Sequence, residues 1–268
     1  MAGLFQVLLG DGEGGFSKAA VLDGTDDAPL IITRRDGDGD GDSIVDVICT
    51  RPFAVDFDGA GDLDIVAGNF RGGFAWFRGE GDGRFEPRSE WLLAAGEPMR
   101  VDAHSDPFVI DWDGDGDLDL LSGSSSGGVY LFDNTGSREQ PEYAARQTLL
   151  APSGHGHDAW DEEAIAGPQS STRVWAADVD GDGKLDLLVG DRVKLMTPAA
   201  GLTVAEAKSK LVEHQQRQSA AIAEITKGGS LADDDQQRLQ EVLQTFRKER
   251  GEIAVEELTG YVWLLRQR

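Results

Sequence analysis

Nine residues, Asp111-Trp-Asp113-Gly-Asp115-Gly-Asp117-Leu-Asp119, place aspartates at loop positions 1, 3, 5, 7 and 9, with glycine at position 6. Alternating carboxylates on a tightly turned backbone can point into one concavity. A hard cation such as Ca2+ takes six to eight oxygen ligands, which such a loop can supply. A second copy has Asp178, Asp180, Asp182 and Asp186, with Lys184 at position 7. A third has Asp56, Asp58, Asp62 and Asp64, with Ala60 where an aspartate is expected. A fourth, less regular copy has Asp38, Asp40, Asp42 and Asp46, with Ser43 at position 6 and Ile44 at position 7. Position 7 can coordinate through its backbone carbonyl, so Lys184 and Ile44 remain in the ligand set. The Ala60 loop lacks one carboxylate and should bind more weakly.

The elements around the loops decide which kind of site this is. An EF-hand needs a glutamate at position 12 and a helix on either side. Position 12 is Ser122, Val189, Ala67 or Cys49. Phe108-Val-Ile110 leads into one loop and Leu118-Asp-Leu-Leu121 leaves it, which are strand patterns. Each metal therefore belongs at a strand–loop–strand turn. Asp-Gly pairs also form turns without metal. An aspartate at position 9 of all four copies, inside the following strand, argues for more than a turn.

The copies align beyond the loops. Thr50-Arg-Pro-Phe-Ala-Val55, Ser105-Asp-Pro-Phe-Val-Ile110 and Thr172-Arg-Val-Trp-Ala-Ala177 lead in. Leu63-Asp-Ile-Val-Ala-Gly68, Leu118-Asp-Leu-Leu-Ser-Gly123 and Leu185-Asp-Leu-Leu-Val-Gly190 lead out. A third strand follows in Gly73-Phe-Ala-Trp-Phe77 and Gly128-Val-Tyr-Leu-Phe132, and a weaker fourth in Arg84-Phe-Glu86 and 143–150. Self-similarity at this spacing, with four strands per repeat, is the pattern of β-propeller blades.

On these residues the chain resembles the FG-GAP (VCBS) repeat family, the blades of the integrin α-subunit N-terminal propeller. The resemblance covers roughly residues 1–195 and the last ten. It implies an all-β propeller with Ca2+ in loops between the first two strands of its blades. Family propellers usually have about seven blades, within the general range of four to eight. This chain shows three clear repeats and a partial one, a small or truncated count. The start, Leu4 to Phe16, resembles the third and fourth strands of a blade without its front. Either the chain is a fragment, or these strands complete a blade begun at the C-terminus.

The expected organisation is propeller blades over 1–200, an inserted antiparallel helical hairpin over 201–258, and a final propeller strand over 259–268. Thr203-Val-Ala-Glu206 fits a capping box. Val204, Leu211 and Ile225 share a seven-residue register, interrupted at Gln218, as do Leu239, Phe246 and Ile253. A paired hairpin is the plain reading of 203–257, and a partner-docking arm the sharper one. Gly260-Tyr-Val-Trp-Leu-Leu265 repeats the third-strand pattern and should pair with 185–190.

Composition narrows the function. The net charge is −24, and the four loops hold 17 of the 49 acidic residues. Nucleic acid is a poor partner for such a chain, since binding phosphates needs a basic face. The single cysteine, Cys49, excludes an intrachain disulfide. No apolar run is long enough to span a bilayer. Weak calcium modules suit an extracellular, periplasmic or cell-surface setting. No signal peptide begins at Met1, and a truncated N-terminus would explain both that and the half blade.

Gly10 to Gly15 and Gly123 to Gly127 match dinucleotide and hydrolase glycine motifs, but neither has the required helix after it. His155 and His157 with nearby acids read as a polar surface insertion. Arg51, Asp106 and Arg173 occupy equivalent repeat positions, as an ion-pair ring or a ligand contact. The reading is a calcium-binding interaction module for protein or glycan, not an enzyme. The alternatives are a polysaccharide lyase or hydrolase on a propeller scaffold, or a structural module of a longer protein.

Overall fold

The computed structural model describes residues 3–33, 47–152, 158–227 and 233–267. The loop at Asp38–Asp46 and the pair His155/His157 lie outside the described residues. The chain forms two compact units: 1–156 with 167–192 and 260–268, and 157–166 with 193–259.

In the first unit, β1 (Gln6–Val7) pairs with β2 (Ala20–Val21). Then β3 (Arg51–Val55), β4 (Asp64–Gly68), β5 (Phe74–Phe77) and β6 (Glu90–Trp91) form an antiparallel sheet in chain order. A short hairpin, β7 (Leu93–Ala94) and β8 (Glu97–Pro98), leads on. β9 (Asp106–Ile110), β10 (Asp119–Gly123), β11 (Val129–Phe132) and β12 (Gln147–Leu150) repeat the four-stranded pattern. The fourth strand is thus Glu90–Trp91 in the first sheet and not Arg84–Glu86. Phe85 instead bridges to Gly24 and Gly79.

The remaining strands are β13 (Asp158–Ala159), β14 (Ser170–Ala177), β15 (Asp186–Pro198), β16 (Ala254–Thr259) and β17 (Val262–Leu265), with helices α1 (Val204–Thr226) and α2 (Asp233–Gly251) before β16. β15 serves both units. Its first part pairs with β14 and with β17, Leu187–Gly190 lying against Val262–Leu265. This completes a third sheet whose last strand is separated from the others in sequence by more than sixty residues. Its second part, Val193–Pro198, pairs with β16, and Asp158–Ala159 runs parallel to it.

Residues 254–257, expected at the end of the helical hairpin, are therefore strand. The reason is that β15 continues past Gly190 and its free edge takes a partner. In the second unit Thr203 and Glu206 form the expected capping box. α1 and α2 pack through His214 against Phe246, and Arg217 bonds Glu249. Met196, Leu211 and Ala254 form a small core.

The central strands β4, β5, β10 and β11 are buried on both faces, which is why they read as continuous apolar runs and not as alternation. Between the first and second sheets lie Val66, Phe74, Trp76, Val109, Leu120, Tyr130 and Phe132. Between the second and third lie Phe108, Leu121, Val129, Leu131, Val174, Leu187 and Val189. The N-terminal segment covers the other side of the first sheet with Phe5, Leu30 and Ile32. Among the described residues it forms no strand pairing with the third sheet.

Each sheet joins the next by the same device. The Ser105 hydroxyl accepts from Asn69 N–H (2.8 Å) and donates to the Gly73 carbonyl (2.7 Å). Thr172 does the same with Ser124 N–H (2.9 Å) and the Gly128 carbonyl (2.7 Å). The strands cross so closely that a Cβ on Gly68 or Gly123 would overlap the carbonyl of Ser105 or Thr172. Arg51, Asp106 and Arg173 form an ion-pair ladder across the three sheets, at 3.7 and 2.7 Å. Burial pushes the Asp106 carboxyl up and the two guanidiniums pull it back. No helix among the described residues is long and apolar enough to cross a membrane.

Candidate metal centre

Each described Asp loop joins the first and second strands of a sheet. Glycines at positions 4 and 6 both have positive φ: 81° and 100° at Gly114 and Gly116, 77° and 86° at Gly181 and Gly183. This double left-handed turn is what lets alternate side chains converge, and only glycine adopts it without strain. Carboxylate oxygens of Asp111, Asp113 and Asp115 lie within 4.8 Å of one another. So do those of Asp178, Asp180 and Asp182, and those of Asp56, Asp58 and Asp64. Asp62 is not in the third cluster, and Asp117, Asp119 and Asp186 are not in the other two.

Position 9 has a second occupation. Asp64, Asp119 and Asp186 are all buried. Asp119 accepts from Trp112 N–H (2.8 Å) at the loop's start and from Asn134 N–H (2.7 Å) beyond the third strand. Asp186 takes Val179 N–H (3.2 Å) and Gln267 N–H (3.0 Å). Asp64 takes Phe57 N–H (2.8 Å) and Gly79 N–H (2.6 Å). In each of the three described repeats this carboxylate ties the loop to the end of the third strand. An aspartate inside a strand thus has a structural task that metal binding alone did not suggest.

Position 3 distinguishes the loops. The residue immediately after the third strand is Arg78, Asp133 or Arg266 in the three repeats. Arg78 pairs with Asp58, and Arg266 lies 3.4 Å from Asp180. In the first loop Arg138 also reaches Asp56, at 3.4 Å. The second loop has Asp133 in place of the arginine. Burial, and then Asp113 and Asp115, push the Asp133 carboxyl up. Asp117 is pushed up to about 6 by burial and by Asp115, Asp119, Asp113 and Asp111. Its Oδ1 is buried with no hydrogen-bond partner, as is Asp56 Oδ1. The second loop therefore concentrates uncompensated negative charge in an all-oxygen setting, the donor chemistry of a hard divalent cation. Asp133 and the arginines were legible only through the repeat alignment, as a charge reversal after the third strand.

These strand–loop–strand units match a family model: FG-GAP-like repeat, over residues 56–122 and 111–189. The chain belongs to the FG-GAP-like repeat family. Each FG-GAP match runs from one Asp loop through the next, and together they cover half of the 268 residues. No curated protein matches the chain. The antiparallel sheets described above carry these FG-GAP repeats.

Proposed function

We propose that this chain is a calcium-stabilised FG-GAP blade array that serves binding, with a protein or glycan ligand, outside the cytosol. The observation that carries the calcium reading is the second loop. Five loop aspartates and Asp133 gather there without an arginine, and Asp117 keeps an unpaired buried oxygen. Asp111, Asp113, Asp115 and Asp117 would hold the ion, with Asp119 fixing the loop that carries them. A divalent cation would neutralise the repulsion that, after burial, raises the Asp117 carboxyl, and so favour the folded state by mass action. At the loop of Asp178, Asp180 and Asp182, the Lys184 carbonyl is a further ligand and Arg266 competes for Asp180. At the loop of Asp56, Asp58, Asp62 and Asp64, Arg78 and Arg138 stand in for much of the cation's charge, so affinity there is lowest. The loop of Asp38, Asp40, Asp42, Ile44 and Asp46 carries the same ligand types in sequence alone.

The binding role rests on the repeat family. The helices α1 and α2 offer a second surface for a partner. Calorimetry with a thermal melt at roughly 10 mM free calcium, about ten times the weak-site range, tests the metal. The expected result is calcium heat and a raised Tm. Neither appearing would overturn the proposal. A glycan array with and without calcium tests the ligand class.

A further inference from the structure

The two ends of the blade array are complementary halves of the junction that already occurs twice inside it. Register fixes the equivalences: Gly68 pairs with Phe74, Gly123 with Val129 and Gly190 with Val262. Phe53, Phe108 and Trp175 therefore hold one position. Phe74, Val129 and Val262 hold a second, and Trp76, Leu131 and Leu264 a third. In the first blade these side chains pack on the second blade, and in the second they pack on the third. In the third blade Trp175, Val262 and Leu264 are 59%, 74% and 43% exposed. A Cβ at Gly190 would meet nothing within 4 Å.

The opposite end shows the other half. Gly79-Glu-Gly-Asp-Gly-Arg-Phe85 and Gly10-Asp-Gly-Glu-Gly-Gly-Phe16 close with the same bridge, Gly79 to Phe85 and Gly10 to Phe16. Leu8 is thus the counterpart of Phe77, and Phe16 of Phe85. Phe77 and Phe85 are buried where the N-terminal segment covers the first blade. Leu8 and Phe16 are 52% and 72% exposed.

The geometry points to head-to-tail self-association, in which the Trp175–Val262–Leu264 face of one copy covers the Leu8–Phe16 face of a second. Three features favour this occupant. The tail face continues the back-to-front packing seen at both internal junctions. The socket that receives the Ser105 and Thr172 hydroxyls is closed in the third blade, where Asp191 N–H donates to the Tyr261 carbonyl (3.1 Å). It asks for no incoming first strand, and β1–β2 brings none. Charge is also complementary. Arg173, which with Arg51 outnumbers Asp106, and Arg266, which lies 3.4 Å from Asp180, flank the tail face, while exposed Asp11 and Glu13 lie in the loop before Phe16. A heterologous contact of this kind closes into a ring or runs on as a filament.

The test is sedimentation of the full chain in calcium buffer from about 1 to about 100 μM, the range of a moderate interface. Wild type should sediment above the monomer with rising concentration. Trp175→Asp and Phe16→Asp should each be monomeric alone. Mixed in equal amounts they should form a one-to-one dimer and nothing larger, because one live head meets one live tail. A wild-type monomer throughout, a Phe16→Asp variant that still self-associates, or a mixture that stays monomeric would each overturn the proposal. If either variant loses its melting transition, Val262→Lys and Leu8→Lys, both at exposed positions, carry the same test.

Discussion

Replacing Asp119 by alanine separates the structural task of position 9 from metal binding. The side chain is buried and each of its two oxygens accepts one backbone N–H, from Trp112 at 2.8 Å and Asn134 at 2.7 Å. A hydrogen bond to a charged group is worth roughly 1.5–3 kcal/mol, and Asp119→Ala strands two donors. Burial opposes this by pushing the carboxyl up, though the two N–H bonds pull it back. The expected net loss is about 2–4 kcal/mol. Urea denaturation in EDTA reads it directly, with no metal involved. Asp119→Asn, which keeps the shape but offers one acceptor, should fall between. Asp115→Ala, at an exposed position, should cost less than about 0.5 kcal/mol in EDTA. A loss below about 1 kcal/mol for Asp119→Ala in EDTA, or one seen only with calcium, would refute the reasoning and return Asp119 to the ligand set.

Three further outcomes follow from the loops and junctions. Because the Asp117 carboxyl sits at about 6 in the folded protein, it holds its proton more tightly there than in the unfolded chain. Metal-free wild type should then lose stability relative to Asp117→Asn as pH rises from about 4 to about 6, with no further loss above; urea midpoints across that window check it, and calcium should remove the slope. Exchanging the charge after the third strand should move calcium affinity: Asp133→Arg should weaken the second loop about tenfold or more, and Arg266→Asp should strengthen the third, both by calorimetry. Gly123→Ala should destabilise by roughly 1–3 kcal/mol, since its Cβ meets the Thr172 carbonyl, while Gly190→Ala should be near neutral in the monomer.

The repeat, its strand-forming runs and the family were legible in the primary structure, because each is set by local spacing. Asp at alternate positions, glycine at turns and apolar strand runs need no distant partner to be recognised. The third-strand pattern of Gly260–Leu265 was readable for the same reason, and pairing with Leu187–Gly190 is what the fold shows. Other matters depended on contacts between residues far apart. The strand at Ala254–Thr259 exists because β15 runs on past the third sheet and needs an edge partner. Loops of nearly equal composition became unequal because Arg78, Arg138 and Arg266 come in from elsewhere, and Asp133 does not balance charge but adds to it. Trp175, Val262 and Leu264 have the same apolar character as their buried counterparts. Whether such side chains are covered is decided by what packs on the sheet, since burial is a property of the neighbour as much as of the residue.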